Sequence, residues 1–297
     1  MKYLAIDIGG TNIKYGLVSS AGEITFKNKE KTDKTSLENL VMQLSDIIEN
    51  FKARSIAFKG IALSVPAPVN AVTGEILGRG SMPFLLNESL NQILGKTYNL
   101  KITSENDGNC AALAEVWLGA AKSCKDIALV VCGTGIGGAI IKDRKIHRGK
   151  HLYAGEFGYS ILDSRDRKNL KTWSHIASTK AMIDQYCELK GVKGVSGEAV
   201  FESAELGDEI AQKVIDDFFF FNALGLHNIQ FNYDPEMILL GGAISSRADF
   251  LEKLEAHLDI IYRSFDYGGV RPVIAQCEFS NDSNLLGAVY HHINSAF

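Results

Sequence analysis

Residues 7–11 read Asp-Ile-Gly-Gly-Thr and residues 133–138 read Gly-Thr-Gly-Ile-Gly-Gly, each directly after a short apolar run at 3–6 and 127–131. Glycines let backbone N–H groups approach a phosphate with no side chain in the way. The residues after each glycine run matter more. Residues 13–18 lead into the turn Ser19-Ser20-Ala21-Gly22, and residues 139–141 lead into the charged turn Lys142-Asp143-Arg144-Lys145. Both patterns predict strand–turn–strand hairpins. A dinucleotide site needs a helix N-terminus after its glycines, so the G-x-G-x-x-G match at 133–138 does not read as one. No G-x-x-x-x-G-K-[ST] loop occurs. Two phosphate-gripping hairpins, about 125 residues apart, imply a duplicated fold that clamps ATP between two lobes.

Asn106 and Asp107 stand where a short strand pattern gives way to an alanine-rich helix pattern. Phosphoryl transfer to a hydroxyl needs a base for the hydroxyl proton, donors for the phosphate charge and a metal. Asp107 is the candidate base, with its carboxylate able to face a crevice. The same position suits a helix cap, and the residues alone weigh the two readings equally. Asn106 carries both a donor and an acceptor, which suits a vicinal diol. Thr11 and Thr134 place hydroxyls in the two glycine turns, where Thr also serves as an ordinary turn residue. Glu156, between glycines, reads on its own as an exposed loop residue.

Around these residues the elements are legible. Residues 1–30 predict three strands, 35–54 an amphipathic helix, 60–65 a buried strand stopped by Pro66-Ala67-Pro68, and 69–82 a loop and hairpin. A short helix comes next at 89–98, then a strand at 101–103 and a helix at 107–121. The second half has a strand at 127–132, a long helix at 207–232, a buried strand at 236–240 ending at Gly241-Gly242, and helices at 249–262 and 284–295. The run 218–221, four consecutive Phe, predicts a helix buried on most sides. Strands first and helices later, repeated, predict an α/β fold.

The chain has 297 residues, 46% hydrophobic and 22% charged, with a net charge of −4. It is long enough for one large or two medium domains. With no basic stripe, nucleic acid and anionic membrane are poor partners. No apolar run approaches about 20 residues, and no signal segment precedes the first strand. The cysteines at 110, 124, 132, 187 and 277 have no C-x-x-C spacing, the pattern of buried free thiols in a reducing cytoplasm.

The chain resembles the ROK family of sugar kinases and repressors, within the actin-like/hexokinase ATPase superfamily. The matching segments are 7–11, 64–69 (Ser-Val-Pro-Ala-Pro-Val), 105–115 (Glu-Asn-Asp-Gly-Asn-Cys-Ala-Ala-Leu-Ala-Glu), 133–138, 154–158 (Ala-Gly-Glu-Phe-Gly) and 240–245 (Leu-Gly-Gly-Ala-Ile-Ser), in the family's order. The resemblance implies a two-lobed fold of duplicated ribonuclease-H-like halves with a ligand cleft between them. Residues 1–116 would form the first lobe, 117–283 the second, with the 284–297 helix packed back on the first. Asp107 is then the base and Asn106 and Glu156 sugar ligands. Asp7 holds the Mg2+ that accompanies ATP; Gly9, Gly10, Thr11, Gly133, Thr134 and Gly135 bind phosphates; Gly241 and Gly242 form the adenosine turn. A homodimer is implied too. The family's repressors carry a DNA-binding segment ahead of the first glycine turn, and Asp7 lies too near the start to leave room for one, which favours an enzyme.

Two departures bear on the substrate. Most ROK kinases carry, after the Glu motif, a His and a three-cysteine zinc knuckle; here Tyr159 takes the His position and 160–174 contains no Cys. Zinc is therefore not expected, and His151 and His175 read as isolated residues. The family's Glu after the knuckle aligns with Ser174. Both usual partners of the anomeric hydroxyl are thus replaced, leaving room and an aromatic platform for an aglycone. The expectation is a cytoplasmic, ATP-dependent sugar 6-kinase favouring a β-glucoside such as cellobiose, as in the β-glucoside kinase branch. The alternatives are a kinase of free glucose, mannose or N-acetylmannosamine, and a non-catalytic sugar sensor.

Overall fold

The computed structural model describes residues 1–78, 80–264 and 269–295. Position 79 of the 69–82 loop and the last two residues of the 284–297 segment lie outside the described residues. The chain divides into two compact units. One comprises Met1–Ser123, Arg144–Tyr153 and Asn281–Phe297, the other Cys124–Asp143 and Ala154–Ser280.

The first sheet contains β1 (Lys2–Ile8), β2 (Asn12–Ser19), β3 (Ile24–Lys31), β4 (Gly60–Val65) and β5 (Lys101–Asn106), in the order β3-β2-β1-β4-β5. β1–β3 form an antiparallel meander, and β4 and β5 add in parallel. The helices are α1 (Leu37–Ala53), α2 (Leu90–Gly95) and α3 (Asp107–Trp117). α1 begins where Ser36 accepts the Asn39 N–H, and it buries Leu40, Leu44, Ile47, Ile48 and Phe51. Those side chains share one core with Leu4, Ile6, Ile8, Ile61 and Leu63 of the sheet. β5 runs three residues beyond the 101–103 expectation because it stays paired with β4 as far as Val65 opposite Asn106. α3 stops at Trp117 rather than 121. There the Glu115 carboxylate accepts the Ala120 N–H at 3.0 Å, competing with continued helix.

The second sheet repeats the order from the other edge. β6 (Ile127–Cys132), β7 (Ile136–Lys142), β8 (Lys145–Ile146), β11 (Met237–Gly241) and β12 (Ile274–Gln276) lie as β12-β11-β6-β7-β8. β6 and β7 are antiparallel, while β11 is parallel to both β6 and β12. β9 (Ile161–Asp163) and β10 (Lys171–Thr172) make a separate two-stranded hairpin. The helices are α4 (Trp173–Ala177), α5 (Thr179–Lys190), α6 (Gly197–Glu205), α7 (Glu209–Tyr233) and α8 (Phe250–Arg263). α7 starts where Asp208 accepts the Ile210 and Ala211 N–H groups at 3.0 and 3.2 Å. Phe218 and Phe219 are buried, with Phe221 packed at the edge of the same core. Each such ring contributes about 1.5–3 kcal/mol by leaving water.

The two sheets share one topology: an antiparallel hairpin opening on a three-residue glycine turn, then two parallel strands reached through helices. The fold is the duplicated actin-like arrangement. A final helix, α9 (Ser283–Asn294), packs in the first unit against α3, β1 and β4. It comes close to α3 at Gly287, where a Cβ would stand 2.7 Å from Cys110 Cα. Any larger residue there would push α9 off the helix whose first residue is Asp107.

Candidate active site

In the first unit, Gly9, Gly10 and Thr11 form the loop between β1 and β2. The Gly9 N–H donates to the Asn12 carbonyl at 3.1 Å, and Thr32 braces the loop through its hydroxyl to the Gly9 carbonyl at 2.7 Å and its N–H to the Thr11 carbonyl at 3.0 Å. A Cβ on Gly9 would stand 2.8 Å from the Asn12 oxygen, so the tight turn itself needs glycine. Thr11 is exposed at the tip.

Asp7 lies on β1 and is only 5% exposed. Its Oδ1 accepts from the Ser64 hydroxyl at 2.8 Å and from Asn284 Nδ2 at 3.0 Å, and Lys14 Nζ lies 3.9 Å from Oδ2. A carboxylate this firmly oriented beside a glycine turn fits a hard cation carried by a phosphate ligand. Neither Ser64 nor Asn284 stands out as a site residue in the sequence. Ser64 sits in the family-like 64–69 segment, whereas the Asn284 contact spans nearly the whole chain and leaves no local signal.

Asn106 caps α3, its Oδ1 accepting the Asn109 N–H at 3.1 Å. The cap is therefore Asn106, not Asp107, which is the first helical residue. Asp107 Oδ1 accepts from its neighbour's amide, Asn106 Nδ2, at 2.9 Å and from the Gly108 N–H at 2.8 Å. Both side chains are partly exposed. As the first residue of α3, Asp107 sets its carboxylate favourably against the helix dipole.

In the second unit, Gly133, Thr134 and Gly135 form the loop between β6 and β7. The Gly133 N–H donates to the Gly135 carbonyl at 2.9 Å, and the Gly133 carbonyl accepts the Lys180 N–H of α5 at 3.3 Å. A Cβ on Gly133 or Gly137 would meet nothing within 4 Å. The space above the turn is thus open, as a phosphate cradle requires. Gly138 differs, because its Cβ would stand 2.6 Å from Phe157 Cδ2 and 2.8 Å from the Gly155 carbonyl. This last glycine admits the 155–157 loop.

That loop carries Glu156, which is half-buried and whose carboxyl burial pushes above the usual range. Gly155 turns the chain at φ +92°. Tyr159 ends a short 3-10 turn and is 71% exposed. Ser174 lies on α4, where its hydroxyl accepts the Ile136 N–H at 2.9 Å and lies tight beneath Gly158. It therefore ties the 157–159 turn to the start of β7. At the end of β11, Gly241 packs against Cys277, and Gly242 takes φ +97° against the Cys132 backbone. Where the zinc knuckle would fall, β9 and β10 stand instead. At the end of β9, Arg165 grips Asp163 with two hydrogen bonds at 3.0 and 2.7 Å. His151 and His175 are exposed. Among the described residues, no group of three or more His, Cys, Asp or Glu is placed to hold a metal ion.

With the fold and these turns in view, comparison places the chain in a family. A model of the ROK family matches residues 3–294, and the protein belongs to that family. It is similar to a beta-glucoside kinase of Listeria monocytogenes, with 32% identity over 99% of this chain and 98% of that one. An N-acetyl-D-glucosamine kinase of Aliivibrio salmonicida is 26% identical, over 98% and 99%. Among solved structures, a ROK family protein from Streptococcus pneumoniae in complex with sucrose superposes with a TM-score of 0.90 at 35% identity, covering 99% of this chain and 98% of that one.

Proposed function

We propose that the protein is an ATP-dependent kinase that phosphorylates the 6-hydroxyl of a hexose unit, with a β-glucoside such as cellobiose as its favoured substrate. The observation that carries this reading is the Asn106–Asp107 pair, hydrogen-bonded at the N-terminus of α3, in a chain alignable end to end with a beta-glucoside kinase. Asp107 takes the proton of the 6-hydroxyl as that oxygen bonds to the γ-phosphorus and ADP departs. Asn106 and Glu156 hold ring hydroxyls, and the cap bond to Asn109 fixes which way the Asn106 amide points. The turns at 9–11 and 133–135 offer N–H groups to phosphate oxygens, with Thr11 and Thr134 exposed at their tips. Gly241 and Gly242 form the adenosine turn. Asp7 would hold Mg2+, which when bound neutralises phosphate charge.

Tyr159 and Ser174 support the glycoside reading over a free-hexose kinase. Neither supplies the paired polar groups expected around a free anomeric hydroxyl, and Tyr159 offers an exposed ring to an aglycone. The second reading is a kinase of free hexose or N-acetylhexosamine, which the Aliivibrio relative favours. A coupled ADP-release screen over glucose, mannose, N-acetylmannosamine, cellobiose and aryl β-glucosides separates them. Highest kcat/KM on a β-glucoside supports the proposal, a preference for a free sugar supports the second reading, and no sugar-dependent release leaves a sugar sensor. The proposal extends to a cytoplasmic homodimer, which light scattering giving the mass of one chain would end.

A further inference from the structure

Glu105, an ionisable side chain, is fully buried and directly precedes the Asn106–Asp107 pair. Each of its oxygens is engaged. Oε1 accepts the Asn106 N–H at 2.9 Å and Asn109 Nδ2 at 2.9 Å. Oε2 pairs with Arg148 and has His291 Nδ1 of α9 at 3.6 Å. Burial holds the His291 imidazole below its usual range, although Glu105 pulls the other way, so Arg148 is the cation that balances the carboxylate. The clamp is poorly built for stability alone. Arg148 reaches Glu105 through Nη2, while its Nε is buried with no hydrogen-bond partner among the described residues. A buried ion pair adds little over an apolar replacement of the same shape.

The arrangement fixes direction. Oε1 holds the Asn106 backbone and the Asn109 side chain, Asn109 holds the Asn106 side chain through its own N–H, and Asn106 holds Asp107. Resting on the kinase reading above, we propose that Glu105, clamped by Arg148, is a positioning residue that sets the Asn106–Asp107 turn from which the base is presented. It touches no substrate; it acts through the two residues that do.

The test uses Glu105→Gln, Arg148→Met, their double variant and Arg148→Lys in the full chain, well below each melting temperature. Arg148 is partly exposed, so its variants keep the test available if Glu105→Gln fails to fold. Each of the first two should lower kcat about 10–100-fold, the scale of a misplaced catalytic group, with the KM for ATP unchanged. The double variant should fall no further than the worse single one, because the residues act as a unit. Arg148→Lys should recover most of the turnover. Hydrogen exchange gives a readout independent of catalysis: amides of 105–110 should exchange faster in Arg148→Met while those of α1 do not change. Unchanged exchange at 105–110, or full kcat in Arg148→Met, overturns the proposal. If the wild-type chain transfers phosphate to no sugar, the kinase reading falls, and the exchange data still decide the clamp.

Discussion

Asn106 Nδ2 donates to Asp107 Oδ1 at 2.9 Å while Asn106 Oδ1 caps α3, so helix start and proposed base form one hydrogen-bonded unit. This separates two effects that a sequence leaves tangled. Asp107→Asn keeps the shape and removes basicity. It should lower kcat by about 10²-fold, with sugar binding and melting temperature near wild type. Asn106→Asp keeps a good cap but sets a second carboxylate against the first. It should fold normally and lose kcat/KM, whereas Asn106→Ala should also lose about 1 kcal/mol of stability with the cap. Near-normal turnover in Asp107→Asn would reduce that residue to a sugar contact or a structural one.

The glycines of the 133–138 run make unlike demands. Gly133→Ala places its Cβ in open space, so stability should change by no more than about 0.5 kcal/mol. If the turn cradles phosphate, the same variant should raise the KM for ATP. Gly138→Ala drives a methyl against Phe157 and the Gly155 carbonyl and should destabilise by about 1–3 kcal/mol. Thermal melts and ATP titration on the two variants separate a phosphate glycine from a packing one. An unchanged KM in Gly133→Ala would remove that turn from the nucleotide site.

The hairpins, the two sheets and the family were legible because each glycine turn is local and bounded by apolar strands. The helices at 179–190 and 197–205 were not, although Ser178 and Ser196 cap them by accepting the Ala181 and Ala199 N–H groups. Their apolar faces are weak, and only Met182, Tyr186, Val200 and Phe201 are buried. The contacts that lay hidden are those between residues far apart along the chain. Glu105 lies within a family-like segment, but its partner Arg148 comes 43 residues later, and Asn284 meets Asp7 across nearly the whole chain. Periodicity carries no information about such pairings.

Burial of Glu156 links stability to pH. Burial raises its carboxyl above the unfolded-chain value, which is about 4.3. Below that value both states hold the proton, and the stability this group allows is fully present. As pH rises through the raised folded value, the native state must bury a charge and stability declines. Glu156→Gln should therefore melt higher than wild type at neutral pH and alongside it near pH 4, while losing activity on the sugar. A melting temperature equal to wild type at neutral pH would show that the carboxylate is better solvated than its burial indicates.

The proposed glycoside preference assigns the deciding positions to Tyr159 and Ser174. Tyr159 exposes its ring three residues after Glu156, and stacking on an aglycone would add of order 1 kcal/mol. Wild-type enzyme should then show a higher kcat/KM for cellobiose or an aryl β-glucoside than for glucose. Tyr159→Ala should erode that advantage about fivefold, the equivalent of that energy, and leave the glucose value alone, because the ring meets only the substituent. Ser174→Glu should reverse the preference by returning an anomeric hydroxyl partner. It should also lower the melting temperature, because the Ser174 hydroxyl holds the Ile136 N–H at 2.9 Å and glutamate must fit beneath Gly158. Ser174→Ala is the control: it loses the same hydrogen bond, about 1 kcal/mol, without adding a carboxylate, and should keep the glycoside preference. A wild-type enzyme that prefers free glucose by a wide margin would overturn the glycoside reading and leave the hexose kinase in its place.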